Sequence, residues 1–240
     1  RLNIDLETLL GLHYFTSDLF KPYQLVTYMF MHGSFMHIFM NMFALWMFGN
    51  VLENSWGSKK FLIYYLITAL GAGFTHMAYT AYELYKMNGI IEGYANTPSV
   101  EAFMSVINDY FSAYQLSPVI QSLTMEWTNQ PHNSLIADQS VQILHQLVQI
   151  KRDIPVVGAS GAVFGILLAF GMMFPNTILY INFFIPLKAK YFVIIYGLIE
   201  LGSGIYNAPG DNVAHFAHLG GMLFGLIMIL YWKKRANHYY

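Results

Sequence analysis

The sequence predicts an all-α polytopic membrane helical bundle, and three observations carry that prediction. Of its 240 residues, 56% are hydrophobic and 17% aromatic, while only 10% are charged. A water-soluble domain carries about 25% charged residues, because its surface must face water. Five segments are apolar over most of the roughly 17–25 residues a helix needs to cross the hydrocarbon core. They are Leu25–Leu52, Phe61–Tyr79, Val156–Phe174, Tyr191–Ile205, which is short, and Val213–Trp232. The basic residues then gather after alternate spans: Lys59 and Lys60, Lys188 and Lys190, and Lys233, Lys234 and Arg235. These seven of the twelve basic residues share one side if the spans alternate, which makes that side cytoplasmic and places the amino terminus outside.

Composition also removes several function classes. Twelve basic and thirteen acidic residues leave a net charge of −1, so no basic footprint for nucleic acid exists. With no cysteine, disulfides, thiolate metal sites and a cysteine nucleophile are excluded. No His-Glu-x-x-His occurs, so a zinc metalloprotease of that type is excluded. Residues 1–22 read as an outer loop or N-terminal remnant, 23–232 as the membrane domain and 233–240 as a cytoplasmic tail. Between the second and third spans, residues 83–153 are rich in Asn, Gln, Ser and acids. Val100–Leu116 and Ser140–Ile150 repeat apolar residues at the helical period there, which predicts an extracytoplasmic cap of short helices.

Polar groups inside the spans are costly and so are functional candidates. The first span holds His32, His37 and Asn41, the third holds Ser160, and the fifth holds His215 and His218, each set near the outer end. His37 and Asn41 are four apart and share a helix face. Ser160 is followed by Gly161 and Gly165, and His218 by Gly221 and Gly225. Two such small-residue faces allow close helix approach, and if they meet, Ser160 and His218 reach one height as a Ser–His dyad. An imidazole that accepts the hydroxyl proton activates serine for acyl transfer. The N–H groups of His37 and Asn41, and the Ser160 amide, are suited to a developing oxyanion. His32 is expected to pin the outer loop to a helix end. Glu200, within the fourth span, has a backbone or histidine partner or a water-filled cavity as its alternatives. No metal is expected at His215 and His218, for want of a third ligand of suitable type.

Three motifs in order carry a resemblance. Gly158-Ala159-Ser160-Gly161 resembles the G-x-S-G nucleophile motif of the rhomboid intramembrane serine proteases. Ala217-His218-Leu219-Gly220-Gly221 with Gly225 resembles the histidine helix of that family, and His32 through His37 to Asn41 resembles its H-x4-H-x3-N segment. The similarity runs from about Tyr23 to Trp232. It implies a serine endopeptidase, without cofactor, that cleaves single-span membrane proteins near the outer boundary of the lipid bilayer. It makes Ser160 the nucleophile, His218 the general base and acid, and His37 with Asn41 the oxyanion donors. Phe164 is then the aromatic beneath the catalytic imidazole. The implied core has six spans, so the first is expected to precede Arg1, and the expected location is a bacterial inner membrane. The alternatives are a non-proteolytic rhomboid-like protein that binds membrane helices, which typically lacks the Ser or the His, and a histidine-lined transporter, for which the inner halves of the spans offer no polar path.

Overall fold

Helix ends in this protein are set by small and polar residues more than by changes in hydropathy. The computed structural model describes residues 5–181, 184–206 and 213–236. Helix α1 (Leu6–Leu10) starts at Asp5, whose carboxylate accepts from the Glu7 and Thr8 amides. A bond from the Thr8 hydroxyl helps hold the exposed Asp5 carboxyl below the usual carboxylate range. Helix α2 (Gln24–Thr27) runs into a 3-10 turn at Tyr28–Phe30. The chain then breaks at Met31–Ser34. Ser34 is extended (φ −158°, ψ 160°), and its hydroxyl accepts the His37 amide to start α3 (Phe35–Ala44). A π-type turn at Leu45–Gly49 joins α3 to α4 (Asn50–Trp56), giving one apolar span over Phe35–Trp56. The first span therefore starts at Phe35 rather than Leu25, because an extended Ser cap interrupts a stretch that hydropathy reads as continuous.

Gly57, at φ +80°, turns the chain into α5 (Ser58–Asn96). This helix continues well past Tyr79. The residues after it, among them Ala81, Glu83, Leu84, Lys86 and Met87, favour helix even though the sequence becomes more polar. The described residues divide into two compact units, one of 5–78, 155–206 and 213–236, the other Tyr79–Ile154.

The first unit is built around α9 (Ser160–Met173), ten of whose fourteen residues are buried. A helix apolar on every side belongs inside a bundle, and at 1.5 Å per residue it is about 21 Å long, shorter than the roughly 30 Å hydrocarbon core. Ile166, Phe170 and Val163 pack with Leu52, Tyr64 and Phe48. Leu12 and Val156 form a bridge pair just before α9, and the Gly158 amide donates to the Tyr28 carbonyl. After α9, strands β1 (Ile178–Ile181) and β2 (Ile185–Lys188) pair antiparallel. This hairpin, absent from the sequence expectation, leads into α10 (Ala189–Tyr206), and α11 (His215–Ala236) follows. Phe35–Trp56, Ser58–Asn96 and His215–Arg235 are each long and apolar enough to cross a membrane. Phe35, Phe39 and Phe43 stack in turn and Trp46 continues them at a tilt, forming one exposed aromatic stripe. An apolar surface of that kind faces lipid in a multi-pass membrane protein.

The second unit adds α6 (Val100–Tyr110), α7 (Pro118–Asn129) and α8 (Ser134–Asp153). Ser99, Ser117 and Asn133 cap their starts. Phe103, Ile107, Ile120, Trp127, Ile136 and Leu144 are buried, and the Tyr94 and Ser140 hydroxyls bond to each other. Of the helices expected between 83 and 153, the first ends earlier than Leu116, at Tyr110, the second is longer, at Ser134–Asp153, and α7 between them is absent from the sequence expectation.

Glycine decides how closely α9 and α11 approach. A Cβ on Gly221 would overlap the Gly161 carbonyl, and one on Gly225 would come 3.4 Å from Gly165 Cα as well as overlapping the Tyr64 hydroxyl. Because backbone cannot rotate aside, Gly221→Ala is expected to destabilise the protein by about 2–3 kcal/mol. Gly202→Ala has open space around it and is expected to leave stability unchanged or raise it by up to about 1 kcal/mol. Thermal unfolding in detergent compares the two.

Candidate active site

The site begins with the way α9 starts. Gly158 sits at φ +124°, a conformation that side chains disfavour, and the turn places Ser160 at the first position of the helix. The Ser160 amide is therefore one of the helix-start N–H groups without an intrahelical acceptor. Across the glycine contact, Ser160 Oγ lies 2.8 Å from His218 Nε2. His218 is 8% exposed, and its ring stacks on Phe164 at 4.2 Å and 8°. Phe164 in turn lies against Tyr196 of α10, with ring centres 4.9 Å apart.

The other ring nitrogen of His218 has a partner that sequence reasoning left open. Glu200 Oε2 lies 2.8 Å from His218 Nδ1 and 2.7 Å from His215 Nδ1. Glu200 is 6% exposed. Of the alternatives for Glu200, the histidine partner is the one observed. A carboxylate only accepts, so both Nδ1 atoms carry hydrogen and donate to it. That fixes the His218 tautomer with the Nε2 lone pair facing Ser160. The available signal was a carboxylate alone in an apolar span, but its partner lies on another helix and no periodicity reveals it.

His37 stands beside the same turn. A Cβ on Gly158 would come within 2.8 Å of His37 Cε1 and Nε2, and within 3.5 Å of Ser160 Oγ. Asn41, one turn further along α3, is 6% exposed, and its side-chain nitrogen meets no protein acceptor among the described residues. His32, just after the 3-10 turn, meets His37 edge-on at 5.0 Å between ring centres. The segment before α2 is held by Gln24. That buried side chain accepts from the His13 and Lys21 amides and donates to the Leu9 and Leu19 carbonyls. Ser160, His218, Glu200, Phe164 and His215 thus form one group, with His37 beside it.

A nucleophile paired with an oriented base, next to side-chain and backbone N–H groups, is an arrangement suited to acyl transfer. Gly158→Ala is expected to lower stability by about 1–3 kcal/mol through backbone strain and the His37 clash. Truncating His37 relieves only the clash. The combined Gly158→Ala, His37→Ala change should therefore cost less than the sum of its parts in thermal unfolding; strict additivity would contradict the contact.

Residues 20–96 and 103–235 match the family described as Rhomboid domain. The chain is also 26% identical over 231 residues to an uncharacterized mitochondrial rhomboid protein of Schizosaccharomyces pombe. The alignment covers 92% of this chain and 55% of that protein, so the chain spans about half the length of the curated relative it matches.

Proposed function

The chain belongs to the rhomboid family, and on that premise we propose that it is an intramembrane serine endopeptidase cleaving single-span membrane proteins near the outer boundary of the bilayer. The observation that carries the reading is the 2.8 Å approach of Ser160 Oγ to a His218 nitrogen whose opposite side is bonded to Glu200. Ser160 Oγ attacks the scissile carbonyl carbon while His218 Nε2 takes its proton. Glu200, holding Nδ1–H, stabilises the imidazolium and keeps it oriented, so the dyad expected from sequence acts as a Ser–His–Glu triad. His37, Asn41 and the Ser160 amide donate to the oxyanion. His218 then protonates the departing amine, and a water deprotonated by the same imidazole releases the acyl group. The stacked Phe164 supplies a flat apolar support under the ring. Residues 83–153 form the extracytoplasmic insertion in this reading, and α10 is the element beside which a substrate helix enters.

A serine-directed fluorophosphonate should label the full chain and fail on Ser160→Ala; labelling that survives the substitution disposes of the nucleophile. His218→Ala should abolish turnover of a membrane-helix substrate. Asn41→Ala should slow turnover by about 10²-fold, the scale of a lost oxyanion donor. Glu200→Gln should cut it by about 10²–10⁴-fold, the upper value being the cost of the equivalent change in chymotrypsin-type proteases. Unchanged turnover in Glu200→Gln would return the mechanism to a dyad.

A further inference from the structure

We propose that Glu200, His215 and His218 form a zinc-binding site whose occupation silences the hydrolase. The inference rests on the reading of His218 as the base and adds a regulatory ligand to that site. Sequence reasoning expected no metal because His215 and His218 lacked a third ligand. The structure places Glu200 there, with one donor atom from each residue within 4.8 Å of the others. Two imidazoles and one carboxylate, with the fourth position left to water, is a donor set that zinc accepts. Imidazole nitrogen also favours zinc over magnesium or calcium. All three side chains are largely enclosed, at 12%, 7% and 10% exposure for His215, Glu200 and His218.

The geometry needs a rearrangement of at most about 1.4 Å, the two histidine donors, within 4.8 Å of each other, moving closer as Glu200 moves back. Zinc–nitrogen and zinc–oxygen distances of about 2.0–2.2 Å in a tetrahedron put ligand atoms roughly 3.4 Å apart. The Glu200 contacts of 2.7 and 2.8 Å therefore open by roughly 0.6 Å, within reach of side-chain torsions.

The chemical consequence follows from the tautomer. When Nδ1 of His218 gives its lone pair to zinc, the ring proton moves from Nδ1 to Nε2, and the imidazole stays neutral. Nε2–H then donates to Ser160 Oγ and has no lone pair with which to take the hydroxyl proton. The metal also ties α10, through Glu200, to α11, through the two histidines. The site thus takes zinc only at the expense of its base.

The test uses zinc ion itself and two separate readouts on the full chain in detergent. Equilibrium dialysis of the Ser160→Ala protein, which needs no turnover, should find one zinc per chain. Glu200→Gln and His215→Asn in that background should each weaken binding by at least about tenfold, since even a ligand's supporting partner is worth 10–100-fold. Circular dichroism identifies a variant that fails to fold, and the other then decides. Fluorophosphonate labelling of the unsubstituted protein should fall at least tenfold at saturating zinc and return with a chelator. No bound zinc, binding unchanged in both variants, or labelling indifferent to zinc would each overturn the inference. Absence of labelling without zinc would instead overturn the hydrolase reading, and dialysis would still decide whether the site exists.

Discussion

Gly221 lies against the Gly161 carbonyl, and the rest of the site depends on that contact. Within lipid no hydrophobic force pulls helices together, since the tails are as apolar as the side chains. Close backbone packing is what remains. Here it is also a positioning device. Ser160 immediately precedes Gly161 on α9, and His218 lies one turn before Gly221 on α11. Bringing the two glycines together therefore sets hydroxyl and imidazole within hydrogen-bond range. A helix start at Ser160, set by the positive-φ Gly158, leaves the serine amide without an intrahelical acceptor, and His37 stands beside the same turn.

Glu200 changes the energetics of α10. This helix has many exposed apolar residues, Ile194, Leu198, Ile199 and Ile205 among them, so it faces lipid along much of its length. Among the described residues, a pair of bonds from His215 and His218 to Glu200 attaches it to α11. Hydrogen bonds to a charged group are worth about 1.5–3 kcal/mol each, so drawing α10 away from α11 carries a cost concentrated at one carboxylate. It also strips His218 of its orienting partner. In the proposed mechanism, substrate entry beside α10 and readiness of the base are thereby coupled in one side chain.

Much of this was legible in the sequence. The apolar runs found the three described helices long enough to cross a membrane, together with α9 and α10, and the paired glycines indicated which helix faces meet. The Ser160, His218 and His37-to-Asn41 motifs pointed to the family to which the chain belongs. What escaped was decided by local hydrogen bonds or by contacts between distant segments. The cap at Ser34 moves the first span to Phe35, although Leu25–Phe30 is just as apolar. Helix α5 persists to Asn96 because helix propensity and hydropathy part company after Tyr79. The strand pair Ile178–Ile181 and Ile185–Lys188 sits in a short apolar stretch whose period is ambiguous between strand and helix. Gln24, which ties together the segment before α2, sits in no motif that marks it. The partner of Glu200 was undecidable from spacing, because fifteen and eighteen residues separate it from its histidines.

The central claim is that Ser160 is the nucleophile of a pre-assembled site. Its most direct measurement is an experimental structure of the protein after reaction with a phosphonate. The account predicts phosphorus bonded to Ser160 Oγ, with the phosphonyl oxygen within hydrogen-bond distance of His37 and Asn41 and His218 still bonded to Glu200. Phosphorus on another residue, or a phosphonyl oxygen turned away from His37 and Asn41, would contradict it.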